Sequence, residues 1–558
     1  MALTAAASLA ACGGGGMRGP QGPTNAIDQA NLPGSGGDEP ATPSVSPTQV
    51  DAARFMAQAT FGPRSPDEIE AVRAEGYEHW LWRQFNATSM SHFSYLDWQR
   101  VAATDNRVTV EMAYEAIWTQ WLQGADQLRG RVAFALSQIF VVSNSAGALR
   151  PFGIAAYMDL LNREAFGNFR TLLRAVTLHP TMGYFLNMIG SEKENPARGV
   201  RPNENYAREI LQLFSIGLVR LELDGTVVRD ANGVPIPTYD EDTVKGFAKA
   251  FTGWSSPRGR NFHDIDVNID ENWFEPLKAY PAYHDTGAKL LLDNVVIAPG
   301  GTPESDLEQA IDNVFQHPNV APFICRQLIQ RLVTSNPSKA YLRDVATVFN
   351  NNGGGVRGDL RAVVRAILLH PEARDPARGA DGRFGKQREP VLRFANFLRG
   401  LGATSSSGLN DIHALDGSDN SLGQSPMLAP TVFNFFKPDF AQAGAIMDQG
   451  LVSPEFQITT ETTLVGGLNF FSRVINNEGF GNGVRRLAIN YAPLQALAAD
   501  PAALVRHLDV MFFNAQMSEL TRTRLTALVT AIPANDTKRR VKSALIVTSL
   551  SPDHVIQT

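Results

Sequence analysis

Asn203-Glu204-Asn205-Tyr206-Ala207-Arg208-Glu209-Ile210-Leu211-Gln212-Leu213-Phe214-Ser215-Ile216-Gly217-Leu218 is the stretch on which the reading of this chain turns. At about 100° per residue, Asn205, Arg208, Glu209 and Gln212 fall on one stripe, with Glu204 at its edge. Tyr206, Ile210, Leu213 and Phe214 fall on the other side. Pro202 suits a helix start and Gly217 a helix end. Glu204 and Arg208 stand i, i+4 in the favourable order. The pattern predicts an amphipathic helix. Apolar helical runs lie before and after it in the sequence, so its polar stripe is expected to be buried.

Working outward, the same helical rhythm recurs at 128–142, 154–161, 169–178, 181–188, 241–254, 303–370 and 386–400. Between them, residues 221–239 carry Asp224-Gly225 and Asn232-Gly233 among β-branched residues, which is hairpin chemistry. The expected fold is therefore mainly α: one large helical domain over residues 51–558, with a minor β-hairpin or strand insertion around 219–300.

The sequence has 558 residues, 44% hydrophobic and 19% charged, with a formal net charge of −6. That is ordinary globular composition with length for a large core. A net negative chain without a basic stripe does not fit a general nucleic-acid binder. Its two cysteines, Cys12 and Cys325, exclude a disulfide scaffold and a cysteine-rich zinc or iron–sulfur site.

Residues 1–12 end in Leu9-Ala10-Ala11-Cys12, which resembles the bacterial lipobox, in which the cysteine is lipidated. Cys12 is the expected lipidation site, although the positively charged n-region of such a signal is missing. Residues 13–50 are rich in Gly, Pro, Ser and Thr and are expected to form a disordered linker. No segment has the roughly 18 uninterrupted apolar residues of a membrane helix. Membrane contact is thus expected only through the lipid anchor, on an exported protein of the periplasm, outer membrane or cell envelope.

Several patterns invite chemistry. His179, His317 and His370 each precede a proline at the end of a helical run, and capping of the preceding helix is the expected role. Asp264, Asp266, Asn268 and Asp270 alternate with apolar residues. On a strand they would share one face and offer a calcium-type cation its oxygens. His284-Asp285 forms a His-Asp pair. Residues 430–440 (PTVFNFFKPDF) gather aromatics that suit a core or a docking surface. There is no HExxH, CxxCH, Walker loop, GxSxG or strand-borne GxGxxG, so no zinc, haem or nucleotide signature exists.

Taken in order, Ala53-Arg54-Phe55 with Phe61-Gly62, RVAFALSQIFVVS (131–143), AFGNFRTLLRAVTLHPTMGYFL (165–186), NENYAREILQLFSIGL (203–218), TGW (252–254), HDTGAK (284–289), PTVFNFFKPDF with LVSPEFQITTE (451–461), and SPDHVIQ (551–557) resemble the bacterial family DUF1800, a domain of unknown function. The resemblance spans about residues 51–557. It implies a predominantly helical, exported protein and a sulfatase-like neighbour, DUF1501, as candidate partner. It brings no catalytic residues with it. One reading of the residues is a hydrolase acting on an envelope or extracellular polymer. Its buried cluster would hold Glu204, Arg208, Glu209, His284 and Asp285 as catalytic groups, with Asn205, Gln212 and Trp254 binding ligand. The other is a non-catalytic surface binding or scaffold protein working with the DUF1501 partner.

Overall fold

The computed structural model describes residues 39–40, 46–102, 107–375, 377–378 and 382–558. Cys12 and residues 13–38 and 41–45 of the 13–50 linker lie outside the described residues, and Gln49 and Val50 at its end already belong to the helix Gln49–Ala59, which Thr48 caps. The fold is mainly α, 53% helical with 23 helices among the described residues, joined by a few short antiparallel strand pairs. Pro151–Glu164 packs against His92–Ala102, Val110–Gln123 and Gln127–Ser137. Val320–Leu332 packs on Gln127–Ser137 and on Lys339–Asn350. Buried apolar side chains from Ala52 to Leu545 join one contiguous core.

The hairpin chemistry at 219–239 takes shape as bridges Val219↔Pro237, Leu221↔Val227 and Arg229↔Pro235. Gly225 (φ +81°) and Gly233 (φ +79°) make the two turns, in a region that favours glycine. Strands also occur outside that insertion. Lys386–Gln387 pairs with Ile556–Gln557, and Gly479–Phe480 with Leu487–Ala488.

The central helix is shorter than its pattern, running Asn205–Gln212. It starts late because the Asn203 side chain accepts the N–H of Asn205 at 3.0 Å, a local bond that competes with helix. It ends in a turn at Gly217 (φ +73°), where an added Cβ would sit 2.6 Å from the Phe323 ring.

His317 and His370 stand at the C-caps of the preceding helices as expected, but all three histidine rings turn to the backbone that follows. Nδ1 accepts the backbone N–H two residues on: Thr181 for His179 (3.2 Å), Asn319 for His317 (3.1 Å) and Glu372 for His370 (3.1 Å). In the first and third cases the proline is the first residue of the next helix, so the histidine before it becomes an N-cap. Nδ1 must be unprotonated to accept. Burial holds His179 and His317 in that neutral form, pushing His179 down from 6.5 to about 3.

The helix C-termini are closed by arginines. Arg399 donates to Gly62 O (2.6 Å), Trp121 O (3.2 Å) and Leu122 O (2.9 Å). Arg540 reaches Ile532 O and Ala498 O, and Arg129 reaches Asn162 O and Phe85 O. All three arginines are buried. They supply donors to carbonyls that a helix end leaves without partners.

Two outcomes are expected. Arg399→Ala removes the donor to Gly62 O and Leu122 O and one of two to Trp121 O, and should lower unfolding stability by about 2 kcal/mol or more in urea titration, against about 0.5 kcal/mol for an ordinary surface change. The second concerns pH. His179 stays neutral when folded and binds a proton below 6.5 when unfolded, so its contribution is present above 6.5 and is lost as pH falls towards 3. His179→Asn keeps a capping acceptor without the titration. Its melting temperature should therefore fall less than that of wild type between pH 7 and pH 4, and parallel curves would refute the assignment.

Candidate functional site

The polar stripe of the central helix lies at the surface. Arg208 pairs with Glu204 at 3.2 Å and with Glu241 at 3.2 Å, and these side chains are 39%, 36% and 57% exposed. The expectation of burial fails for a physical reason. Tyr206, Ala207, Ile210 and Leu211 already give this short helix its core face, and periodicity identifies faces without saying what covers each. Asn205 is exposed. Glu209 is half-buried, its Oε2 has no partner among the described residues, and burial raises its pKa against the pull of Arg208. Burial likewise lifts the Tyr239 phenol, next to Arg208 and Glu209, to about 12.

His284 does not join this stripe. Its Nδ1 lies 2.9 Å from Thr252 O and its Nε2 lies 3.0 Å from Asp306 Oδ2. Lys289 Nζ reaches the same Oδ2 at 2.7 Å. All three residues are fully buried. Burial alone would raise the Asp306 carboxyl, but the bonds from Lys289, His284 and Ser305 outweigh it and hold the group below its usual value. The Asp285 carboxylate is turned to the backbone that follows it and not to the His284 ring. Its backbone N–H donates to Thr252 Oγ1 and its carboxylate accepts from Gly287 N, shaping the turn. Trp254 is buried in the pair of Trp254–Ser255 with Lys278–Ala279. This region is a structural lock.

The aspartates expected to hold a cation do not share a strand face. Residues 261–270 are turns, because Asn and Asp bond their own backbone: Asn261 accepts from His263 N and Asp266 from Asn268 N. Asp264 is taken by Arg260 at 2.8 Å. Among the described residues no three His, Cys, Asp or Glu side chains gather as a metal site.

A cavity of about 500 Å³ opens instead beyond the C-terminal end of the central helix. Gln212, Ile216 and Leu218 form one wall, Phe323 and Gln327 a second, and Phe433 and Phe436 a third. Gln138, Gln327 and Arg331 meet at its floor and are all buried. Arg331 stands over the Phe436 ring at 5.9 Å and donates to Gln138 O (3.0 Å) and Gln327 O (3.1 Å). Behind it lies a buried polar network. Arg131 and Lys386 both donate to Arg331 O (2.6 and 2.8 Å). Lys386 pairs with Glu455 at 2.8 Å, and the Gln138 and Gln424 amides donate to Glu389. Burial brings Arg131 and Arg331 down to about 10, so both remain charged at neutral pH. Gln138 Oε1 and Gln327 Nε2 are left without partners among the described residues. Two residues that line the apolar cavity thus each keep one buried amide atom, an acceptor and a donor, without a partner.

A family model matches residues 54–556. The chain belongs to DUF1800, a protein family of unknown function. No curated protein and no solved structure matches it. In this DUF1800 chain the motif TGW at 252–254 meets HDTGAK at 284–289 through Thr252, in the structural lock. The end of NENYAREILQLFSIGL and the aromatic run of PTVFNFFKPDF build the cavity.

Two of the floor residues, Gln327 and Arg331, lie in PFICRQLIQRLV, which the sequence marks only as an apolar helix. Its available signal is Gln327 and Arg331, four residues apart on one helix face yet buried.

The lock and the stripe should respond oppositely to substitution. Arg208→Ala should cost within about 0.5 kcal/mol, because exposed pairs contribute little. Asp306→Asn should cost about 3–5 kcal/mol at pH 7, because it leaves the buried Lys289 without its carboxylate. The depressed folded pKa gives Asp306 a contribution present above its unfolded 3.8 and lost as pH falls through the lower folded value. The gap between wild type and Asp306→Asn, followed by denaturant unfolding, should therefore narrow only below about pH 4.

Proposed function

We propose that this DUF1800 chain is a binding protein whose cavity takes an amphipathic ligand. The apolar body rests against Ile216, Leu218, Phe323 and Phe436. A carbonyl- or carboxyl-type head meets Gln138, Gln327 and Arg331. The observation that carries the reading is the unpaired Gln138 Oε1 and Gln327 Nε2 at the floor, since a buried donor and acceptor without partners cost stability until something pairs with them. The cavity has the size and the mixed lining of a small-molecule site. Its wall presents cations and amides, with Asp439 as its carboxylate. This composition suits recognition better than the paired acid and base of a hydrolase.

Saturated fatty acids of graded length serve as probes in titration calorimetry of the full chain. Dodecanoate should bind, and Gln327→Leu should weaken it by about tenfold, the loss of one hydrogen bond in a dry site. Val432→Trp, which fills the cavity, should abolish it. Dodecanoate binding that survives both changes, or none in wild type, removes the reading.

The binding site would face the cell envelope if Cys12 is lipidated and residues 13–50 act as a tether. Metabolic labelling with a palmitate analogue should mark the wild type and leave Cys12→Ser unmarked. Equal labelling of the two would dismiss the anchor.

A further inference from the structure

The charges behind the cavity floor do not balance. Arg131, Arg331, Lys386, Glu389 and Glu455 are all buried there. Lys386 and Glu455 pair at 2.8 Å, and the pair is neutral whether its proton sits on the amine or on the carboxyl. Glu389 is then the one carboxylate left to offset two guanidinium groups. Neither Arg131 nor Arg331 makes an ion pair among the described residues. Arg131 donates to Arg331 O, and Arg331 to Gln138 O and Gln327 O. Buried Arg388 adds to the positive side, since it repels Arg131 and spends its own donors on Phe512 O and Asn396 Oδ1. Asp439, on the cavity wall, is exposed and stands against Arg326. A buried charge without a counter-ion is costly, and Arg331 brings this one to the cavity lining.

The two amide atoms without partners are of opposite kind. Gln327 Nε2 needs an acceptor, and Gln138 Oε1 needs an N–H or O–H. The Gln138 amide cannot turn over to escape this, because its Nε2 is held by Glu389. A plain carboxylate has acceptors only. It would answer Arg331 and Gln327 and leave Gln138 Oε1 unpaired. A plain alcohol would answer the amide and leave the charge. The two demands lie side by side, since Gln138 O and Gln327 O accept from the same Arg331 guanidinium.

Resting on the reading of the cavity as a binding site, we propose that its ligand is a hydroxylated fatty acid. The ionised carboxylate lies against Arg331 and Gln327 Nε2, and a hydroxyl on the first or second carbon beyond it donates to Gln138 Oε1. The tail takes the apolar wall of Ile216, Leu218, Phe323 and Phe436.

Calorimetry of the full chain with dodecanoate, 2-hydroxydodecanoate, 3-hydroxydodecanoate, the methyl esters of the two hydroxy acids and dodecanol tests this. At least one hydroxy acid should bind about tenfold more tightly than dodecanoate, the gain of one hydrogen bond in a dry site. Its methyl ester should bind about tenfold or more weaker than the acid, and dodecanol likewise weaker than dodecanoate. Gln138→Met keeps the volume and removes the acceptor. It should bring the hydroxy acid to within about twofold of dodecanoate and leave the preference for acid over ester intact. The ligand series on wild type decides the matter if that variant does not fold. Equal affinity for dodecanoate and both hydroxy acids, equal affinity for acid and ester, or a hydroxyl preference that persists in Gln138→Met overturns the proposal while leaving the binding reading in place. Binding of none of the series removes both.

Discussion

Every helix leaves carbonyls unpaired at its C-terminal end, and a fold made of many helices must bury some of those ends. Here the donors come from arginines inside the core. One guanidinium offers five N–H groups in a rigid plane, so a single Arg399 can close the ends of two separate segments. Such a charge is expensive to desolvate, as the lowered pKa of Arg399, to about 9, records. It remains because the carbonyls it serves would otherwise stand unsatisfied in a dry interior. The large cavity grows from the same device. Arg331 closes the end of Gln127–Ser137 at Gln138 O, and its guanidinium forms part of the polar floor beneath an apolar chamber.

The helical class and the two hairpin turns were legible because they are local. Asp224-Gly225 and Asn232-Gly233 set their turns within a few residues, and the apolar face of 205–212 follows from periodicity alone. The same periodicity could not say whether Glu204 and Arg208 would be covered. That depends on elements far away in sequence. At 264–270 the alternation of Asp and Asn with apolar residues suggested a strand. Short polar side chains bonding to their own backbone won instead. His317 and His370 end the helices before them as the pattern suggested, while the rings of His179 and His370 also start the next helix, because a proline that stops one helix is also the preferred first residue of another.

The cavity was the least legible part. Its lining comes from residue 138, residues 212–221, residues 323–331 and residues 432–439, segments that meet only in three dimensions. No spacing rule joins Gln138 to Gln327. What the sequence did offer was a mismatch: amides and guanidinium groups inside helices otherwise built for a core. Such local disagreement with the surrounding pattern is where chemistry is to be sought.

The pairing of Lys386–Gln387 with Ile556–Gln557 bears on how the protein comes into being. Gln557 Nε2 also donates to Leu332 O (2.9 Å) and Val333 O (3.2 Å), at the end of the helix that carries Gln327 and Arg331. The chamber is therefore fastened by a residue that leaves the ribosome more than 200 positions after its walls begin to emerge. Early helices can form as they are made. The chamber itself cannot set until synthesis has passed residue 557, and until then its apolar walls are exposed to chaperones or to each other.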